Sequence, residues 1–282
     1  RAEPVIDTTT VRGSIEYRDA VLVDNDSRFV FAFVRAALEA GAAAANYVEV
    51  VSAERTAGRW HVHLRDTDSG AELTATTRVL VNATGPFVDG FNKGLGISTA
   101  HRLVFSKGVH LVVPRLTSGR HDRVLAFFDD TQRLFYVIPM GNRSVIGTTD
   151  TRVDDPHTHV TDADREFLLD QINKRLDLRV PLTAGDVLAE RSGARPLVVP
   201  AVGAVPDADW TSLSRRHAIE HDAQRGVVTI FGGKLTDCLN VGREVGDAVA
   251  DLGVTLHRDR RDWYGEPSSA TRAEFMLRAE RM

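Results

Sequence analysis

The sequence FGGKLTD, at residues 231–237, joins a short apolar run to a segment with helical periodicity. The preceding residues 226–231 are β-branched and apolar, which predicts a buried strand. After the heptapeptide, apolar residues recur at spacings of three and four up to Leu252, which predicts a helix that ends at Gly253. Two glycines and a lysine therefore lie at a strand-to-helix turn. Free amides at the positive end of a helix dipole suit a phosphate or an anionic ring, although an ordinary tight turn fits the pattern equally well.

Upstream of this turn, strand and helix patterns alternate. Residues 12–20 alternate as a strand, and the residues that follow, up to about Ala40, have one apolar face and predict a helix. Three strand patterns and a further apolar strand come next, at residues 47–55, 59–66, 71–76 and 78–82. This alternation predicts an α/β fold with a mostly parallel sheet and a side ribbon. A GxGxxG sequence after a first strand, the usual dinucleotide fingerprint, is absent.

From about residue 102 the pattern changes to successive short strands, which predicts a second, antiparallel layer. These strand patterns lie at residues 107–113, 123–128, 134–138 and 144–148. A helix is predicted from Thr161 or Asp162 to about Leu176. A strand-like segment at residues 186–192 then leads into the turn-rich GARPL at residues 193–197.

Length and composition limit the classes of protein that the chain can be. Its 282 residues allow one or two domains, and a net charge of −4 without a basic block argues against a general nucleic-acid binder. One cysteine, Cys238, excludes a disulfide within the chain and fits a reducing cytoplasmic compartment. No apolar run reaches the ~20 residues that a membrane span needs. Because Arg1 is not a start methionine and a helix-like segment runs to Met282, we expect a fragment.

Two alternating histidines, His61 and His63, project from one face of a predicted strand. No cysteine or third histidine accompanies them, so the ligand count of a metal site is not reached. We therefore predict no metal.

Six short motifs follow one another along the chain. They are EYRD at residues 16–19, VNATGP at 81–86, KGVH at 107–110, IGTTD at 146–150, GARPL at 193–197 and FGGKLT at 231–236. In order and spacing, over residues 13–252, this set resembles the FAD-dependent glycerol-3-phosphate dehydrogenases.

The resemblance implies a Rossmann-like FAD-binding domain interrupted by an antiparallel substrate (cap) domain. This is the architecture of the glutathione-reductase and D-amino-acid-oxidase flavoproteins, here incomplete. The implied bounds are a cap-domain strand at 1–19, the FAD-binding domain at 20–101, the cap at 102–222, the returning FAD-binding segment at 223–255 and a linker at 256–282. The family's glycine fingerprint would precede Arg1, and its helical C-terminal domain would follow Met282.

The resemblance also implies an activity, the oxidation of sn-glycerol 3-phosphate to dihydroxyacetone phosphate by hydride transfer to FAD. Electrons would pass to a quinone, and the protein would be a homodimer, peripheral on the inner face of the cell membrane. The alternatives are a glycerol-3-phosphate oxidase that uses oxygen, an amino-acid or sarcosine-type oxidase of the same fold, and a non-enzymatic binding module.

Two arginines, Arg195 and Arg215, match the phosphate-binding positions of the family. Arg195 precedes Pro196, which holds its backbone extended, and a guanidinium binds phosphate through a planar fork. Taken alone, either arginine could equally form a surface ion pair worth ~0–1 kcal/mol.

Two residues compete for the role of base. His110 matches the family's Lys-Gly-x-His strand, and the unperturbed pKa of histidine near 6.5 suits proton abstraction near neutral pH, although a histidine in an apolar strand is more often a packed residue. Lys234 lies at a helix N-terminus, where the positive potential would lower the pKa of its ammonium. It could also stay charged and hold the substrate oxygen or the flavin carbonyl, so both candidates remain open.

The cofactor contacts follow from family positions. They are Val50 beside the adenine, and Thr84, Gly85, Pro86, Thr149, Asp150, Gly232, Gly233, Lys234, Leu235 and Thr236. The amides of Leu235 and Thr236 would stabilise the negative charge of the reduced ring. Asp237 departs from the family, which commonly has a second threonine there, so we expect its carboxylate to point away or to cap the helix.

Overall fold

The computed structural model describes most of the chain. The described residues are 3–11, 13–19, 22, 25–117, 123–130, 132–203, 216–257 and 269–279. They form two compact units. The first comprises Arg1–Ile15, Glu54–Trp60 and Thr77–Gly253, and the second comprises Glu16–Ala53, His61–Thr76 and Val254–Met282.

The second unit contains two helices, α1 (Asn25–Glu39) and α5 (Ser269–Ala279), and most of a three-stranded ribbon. The ribbon strands are β1 (Val48–Thr56), β2 (Arg59–Asp66) and β3 (Glu72–Thr77), in the order β1-β2-β3. The predicted helix and the predicted side ribbon are therefore confirmed.

The strand predicted at residues 12–20 is wrong for residues 13–19, which form no strand. Ile15 and Tyr17 are 90% and 75% exposed. An alternating pattern makes a strand only where a neighbouring strand pairs with its backbone and an apolar layer covers one face. Earlier in the chain, Ile6 forms an isolated antiparallel bridge with Leu176.

A six-stranded sheet dominates the first unit. Its strands are β5 (His101–Pro114), β6 (Leu125–Phe128), β7 (Leu134–Met140), β8 (Arg143–Gly147), β9 (Thr151–Val153) and β10 (Ala189–Pro200). The order is β10-β5-β8-β7-β6, with β9 also paired to β5, and the pairings are antiparallel. The predicted antiparallel layer is confirmed.

The predicted turn at residues 193–197 is wrong, because these residues continue β10. They pair with β5, from Gly193 opposite Gly108 to Leu197 opposite Val104. In the order of the sheet β10 is the outermost strand, where the missing N–H of Pro196 does not interrupt a ladder on both sides. Glycine and proline therefore mark an edge strand here, not a turn.

Helix α3 (Asp162–Arg175) packs on the six-stranded sheet. Thr161 caps it by accepting a hydrogen bond from the amide of Asp164, whose carboxylate accepts one in return from the Thr161 amide. Leu168 and Ile172 lie in one buried cluster with residues of β5, β7 and β8. The buried Lys107 ammonium lies 2.6 Å from the Asp164 carboxylate and joins the strand to the helix. The predicted helix is confirmed.

A smaller sheet completes the first unit. It has the order β11-β12-β4, from β11 (Ala218–Asp222), β12 (Val227–Phe231) and β4 (Leu80–Asn82). β12 and β4 are parallel, whereas β11 and β12 are antiparallel. Among the described residues, the mostly parallel sheet that we predicted is thus present only as one parallel pair.

Two short helices flank the strands of the smaller sheet. A 3₁₀ turn (Gly85–Phe87) and α2 (Val88–Gly94) follow β4, and a 3₁₀ turn (Leu235–Asp237) and α4 (Cys238–Asp251) follow β12. The strand, glycine turn and helix predicted around residues 231–237 are confirmed. Within the described ranges, no helix has the length and apolar character needed to cross a membrane. The domain bounds implied by the resemblance stay a prediction.

Candidate functional site

Strands β5 and β10 bring two of the predicted site residues onto one face of the six-stranded sheet. Arg195 lies opposite Ser106, and Arg191 lies opposite His110. Side chains of directly opposed residues, and of alternate residues along a strand, point to the same side. Arg195 and His110 therefore share a face, which we call the arginine face of the sheet.

The guanidinium of Arg195 is held at a defined place on this face. It donates hydrogen bonds to the Thr148 hydroxyl at 2.7 Å and to the Thr149 carbonyl at 3.2 Å. It also lies over Gly108, where an added Cβ would come within 2.2 Å of Arg195 Nη2. Gly108 in the KGVH motif thus makes room for the guanidinium, which the sequence alone did not show.

His110 occupies a comparable glycine gap. It lies opposite Gly147 of β8, and a Cβ at Gly147 would come within 2.6 Å of its ring atom Cδ2. Burial lowers the pKa of His110, and the nearby charges of Arg195 and Arg191 lower it further. The imidazole is therefore neutral near pH 7 and able to accept a proton.

Thr149 and Asp150, predicted as cofactor contacts, hold the loop that positions Arg195. The Thr149 hydroxyl accepts a hydrogen bond from the amide of Val109 at 3.0 Å. The Asp150 carboxylate is 6% exposed, accepts a hydrogen bond from Ser106 and forms an ion pair with Arg133. These contacts anchor the loop to β5.

The glycine turn after β12 packs against the strand that carries Arg195. Gly232 and Gly233 have φ of 60° and 101°, values that favour glycine. A Cβ at Gly232 would lie 2.6 Å from Cγ2 of Val198 and 3.6 Å from the carbonyl oxygen of Pro196. Lys234 then precedes the 3₁₀ turn that contains Leu235 and Thr236. Lys234 and Arg195 therefore belong to neighbouring segments of one unit.

Asp237 takes part in a cluster that sequence reasoning missed. Its carboxylate lies 2.7 Å from Nδ1 of His217 and accepts a hydrogen bond from Asn240 at 2.7 Å, while Nε2 of His217 lies 3.0 Å from Glu244. Burial lowers the pKa of His217, but the two carboxylates outweigh it and raise that pKa overall. Hydrogen bonds from Asn240 and His217 lower the pKa of Asp237. Asp237 thus contacts His217, which directly precedes β11, and Asn240 of α4.

A second glycine turn leaves the smaller sheet at the same edge. Thr229 of β12 is paired with Asn82, the last residue of β4, and β12 continues to Phe231, so the carboxyl ends of both parallel strands lie at one edge of the sheet. Asn82 accepts hydrogen bonds from the amide and the hydroxyl of Thr84, at 3.2 and 2.7 Å, and it donates one to Asn92 at 2.9 Å. Gly85 follows with a φ of 58°.

This edge fits a ligand that approaches the main chain. A Cβ at Gly85 would meet nothing within 4 Å, so its backbone borders open space before Pro86. The carboxyl edge of parallel strands is where α/β sheets bind ligands, and the amides at the start of α4 offer donors to an anionic group. Gly85 is therefore suited to the close approach of a dinucleotide cofactor, whereas Val198 and His217 lie against the Cβ positions of Gly232 and Gly233.

Two predicted positions are not part of this arrangement. Val50 is on β1 in the second unit and is 39% exposed. Arg215 lies outside the described residues. His61 and His63, which we did not predict as ligands, are on β2, and the described residues contain no group of three or more side chains that could hold a metal ion.

Comparisons with known proteins place the chain among flavoproteins. The model of the FAD dependent oxidoreductase family, DAO, matches residues 1–259. The mitochondrial glycerol-3-phosphate dehydrogenase of Macaca fascicularis is 34% identical over 241 residues, which are 83% of this chain and 32% of that protein. The Arabidopsis thaliana enzyme SDP6 is 33% identical over 279 residues, which are 93% of this chain and 42% of that protein. The chain thus spans less than half the length of these relatives.

Solved structures agree on the fold. The glycerol-3-phosphate dehydrogenase of Bacillus halodurans, in complex with FAD, has a TM-score of 0.71 and 28% identity, covering 91% of this chain and 50% of that one. An iminodiacetate oxidase from Chelativorans has a TM-score of 0.51 at 19% identity, covering 84% of this chain and 58% of that one. The second likeness concerns the fold alone.

Proposed function

Because the chain belongs to the FAD dependent oxidoreductase (DAO) family, we propose that it carries the substrate site of an FAD-dependent glycerol-3-phosphate dehydrogenase. The reaction is the oxidation of sn-glycerol 3-phosphate to dihydroxyacetone phosphate. The observation that carries this proposal is the arginine face, where Arg195 and the neutral His110 lie together. The names of the relatives from Macaca fascicularis and Bacillus halodurans support the choice of substrate.

FAD is the cofactor of this proposal, and the two glycine turns are the segments that would hold it. The chemistry that bound FAD would supply is that of an acceptor for the hydride of the substrate's carbinol carbon. Gly85 allows a close approach to the main chain, while the amides of Leu235 and Thr236 would donate to an anionic ring. Contacts with Thr84, Pro86, Gly232, Lys234, Thr149, Asp150 and Val50 stay predictions from the resemblance.

The protein side of the reaction needs one anion-binding group and one base. The planar guanidinium of Arg195 binds the phosphate oxygens and orients the carbinol. A ring nitrogen of His110 accepts the hydroxyl proton as the C–H bond breaks, and the secondary alcohol becomes a ketone. The lowered pKa of His110 favours it over Lys234 as the base. Lys234 then holds a substrate oxygen with its ammonium.

The remaining expectations rest on the resemblance. They are Arg215 as a second phosphate ligand, a quinone as electron acceptor, a homodimer, and a peripheral position on the inner face of the cell membrane. The glycerol-3-phosphate oxidase alternative differs only in passing the electrons to oxygen.

The test is an anaerobic titration of the purified full-length protein, reconstituted with FAD. Glycerol 3-phosphate should bleach the flavin absorbance, while glycine and sarcosine should leave it unchanged. Replacing the base, His110→Gln, should slow the bleaching by roughly 10²- to 10⁴-fold. Bleaching by glycine or sarcosine but not by glycerol 3-phosphate would overturn the proposal.

A further inference from the structure

The start of α4 lies beside a histidine that contacts two carboxylates. His217 directly precedes β11, and its neighbour Ala218 pairs with Phe231, so His217 lies next to the glycine turn. Nδ1 of His217 is 2.7 Å from the Asp237 carboxylate, and Nε2 is 3.0 Å from that of Glu244. Ionised carboxylates only accept hydrogen bonds, so both contacts are hydrogen bonds when His217 is an imidazolium. The side chain is 11% exposed, so this charge is largely enclosed.

The contact with His217 changes what Asp237 does for α4. Asp237 is the N-cap residue of α4, a position where a carboxylate usually accepts a hydrogen bond from a helix amide. Its carboxylate makes no such bond. One oxygen accepts a hydrogen bond from Nδ2 of Asn240 at 2.7 Å, and the other lies against His217. The carboxylate is therefore held to the side of α4 and does not cover the amides of its first turn.

Packing fixes His217 against both the turn and the helix. A Cβ at Gly233 would lie 3.3 Å from Cβ of His217, so the glycine turn lies directly on this residue. Asp237, Asn240 and Glu244 follow one another at spacings of three and four, which places them on one face of α4. The ring of His217 therefore extends along this face from the N-cap to the second turn of the helix.

We propose that His217 is a positioning residue, which holds the Asp237 carboxylate aside so that the start of α4 can accept the anionic ring of reduced FAD. This inference rests on the proposed function, in which the amides of Leu235 and Thr236 face that ring, and it adds two residues to it. Asp237 stands where the family that the chain resembles commonly has a threonine. This chain therefore has a negative charge at that place, and His217 keeps it from the ring.

Electrostatics explain why the position of this carboxylate matters. The positive end of a helix dipole stabilises a negative side chain and an anionic ligand alike, so the two compete for it. Hydrogen bonds from Asn240 and His217, and the charge of Lys234, lower the pKa of Asp237, which is therefore ionised at neutral pH. Without His217, the carboxylate of Asp237 is free to cap the helix amides and to repel a reduced ring that carries the same charge.

The experiment measures the midpoint potential of FAD bound to the purified full-length protein, at neutral pH, by titration with a chemical reductant. His217→Leu is similar in size and has no hydrogen-bond donor, so it releases the Asp237 carboxylate. It should weaken the binding of reduced FAD relative to oxidised FAD by roughly three- to tenfold, which lowers the potential by about 15 to 30 mV. His217→Gln keeps an N–H donor, so it should lower the potential by less.

A double variant separates this role from a purely structural one. When His217→Leu is combined with Asp237→Asn, no carboxylate remains at the N-cap of α4. The potential should therefore return to that of the unaltered protein or rise above it, although a second partner in the cluster has been lost. A residue that only stabilised the fold would leave the double variant at least as impaired as His217→Leu.

Matched controls separate the cluster from general effects of substitution. His221→Leu replaces an exposed histidine of β11, and Asp251→Asn removes an exposed carboxylate at the last residue of α4. Neither should change the potential.

Two outcomes would overturn the inference. They are an unchanged potential in His217→Leu, and a lowered potential that Asp237→Asn does not restore. Because the potential is measured without substrate, the outcome is independent of the proposed reaction. If glycerol 3-phosphate does not bleach the flavin while the variants behave as described, the proposed substrate is wrong and the role of His217 stands.

Discussion

At the scale of single residues, the glycines explain where the charged side chains lie. Gly108 and Gly147 leave the volumes that the Arg195 guanidinium and the His110 ring occupy. The KGVH and IGTTD motifs therefore contain their glycines because two other residues need that space. A sequence shows the glycines but not the side chains that cross over them from other strands.

His110 should make the stability of the protein depend on pH. Its pKa is lowered in the folded state, mainly by burial, whereas in the unfolded chain it is near 6.5. Between the two values the unfolded state binds more protons, so the free energy of unfolding falls as the pH is lowered through 6.5 towards the folded pKa. The slope for one proton is at most about 1.4 kcal/mol per pH unit. Urea unfolding from pH 7.5 to pH 5, on His110→Gln beside the unaltered protein, should show this slope reduced in the variant.

His217 provides a control of opposite sign. Its pKa is raised by Glu244 and Asp237 against the effect of burial, so its contribution is present below pH 6.5 and is lost as the pH rises through its folded pKa. His217→Gln should therefore lose stability at low pH relative to the unaltered protein, while His110→Gln gains it. Equal pH slopes in both variants would contradict the assignment of the two environments.

Among the site residues, those that the sequence could predict belong to recognisable motifs. Arg195 and His110, which the resemblance names as phosphate ligand and candidate base, lie on one face of the sheet, and their roles stay predictions. Arg191 was missed, although the alternation Arg191, Gly193, Arg195 with period two was a usable signal once residues 193–197 were known to be a strand. His217 was missed because its partners, on α4 and the turn before it, are 20 and 27 residues away.

At the scale of elements, the segment from β12 to α4 was predictable because its signals are local. An apolar run, two glycines and a three-and-four spacing follow one another within residues 226–253. The full extent of β10 was not predictable, because its pairing with β5 joins residues that are about 80 to 100 positions apart. No local sequence pattern contains that pairing. The glycine and the proline of residues 193–197 therefore led to the prediction of a turn where the structure has a strand.

The β12 turn should tolerate a Cβ worse than an open turn of similar backbone conformation. Gly232→Ala imposes a positive φ on alanine, which costs about 1–2 kcal/mol, and the Cβ would lie 2.6 Å from Val198 Cγ2, which adds about 1–3 kcal/mol of overpacking. Gly253→Ala shares the positive φ but meets nothing within 4 Å, so only the first cost applies. Urea unfolding should give Gly232→Ala a lower free energy of unfolding than Gly253→Ala. An equal loss of stability in the two variants would mean that β10 and the turn move apart without an energetic cost.

At the scale of the whole molecule, the two units differ in how they bury apolar surface. The first unit has a cluster on the six-stranded sheet in which Val109, Leu111, Val137 and Ile146 are fully buried, and α3 covers it. In the second unit, β3 and most of β1 are exposed, and so are Phe31 and Leu38 of α1. The sequence predicted both sets of elements but not this contrast, because burial depends on which elements pack together.

Hydrogen exchange should reveal the contrast as a gradient of protection. The amides of β5 between Val109 and Val113 lie in a strand that has neighbours on both sides and is buried in the cluster, so they should open only with global unfolding and exchange slowest. Amides of β3 lie in an exposed ribbon and should exchange through local opening, at least tenfold faster than those of β5. Mass spectrometry of peptides from the exchanging protein gives both rates in one experiment. Equal protection of β3 and β5 would mean that the ribbon unfolds together with the six-stranded sheet, and the division into two units would then not describe how the chain unfolds.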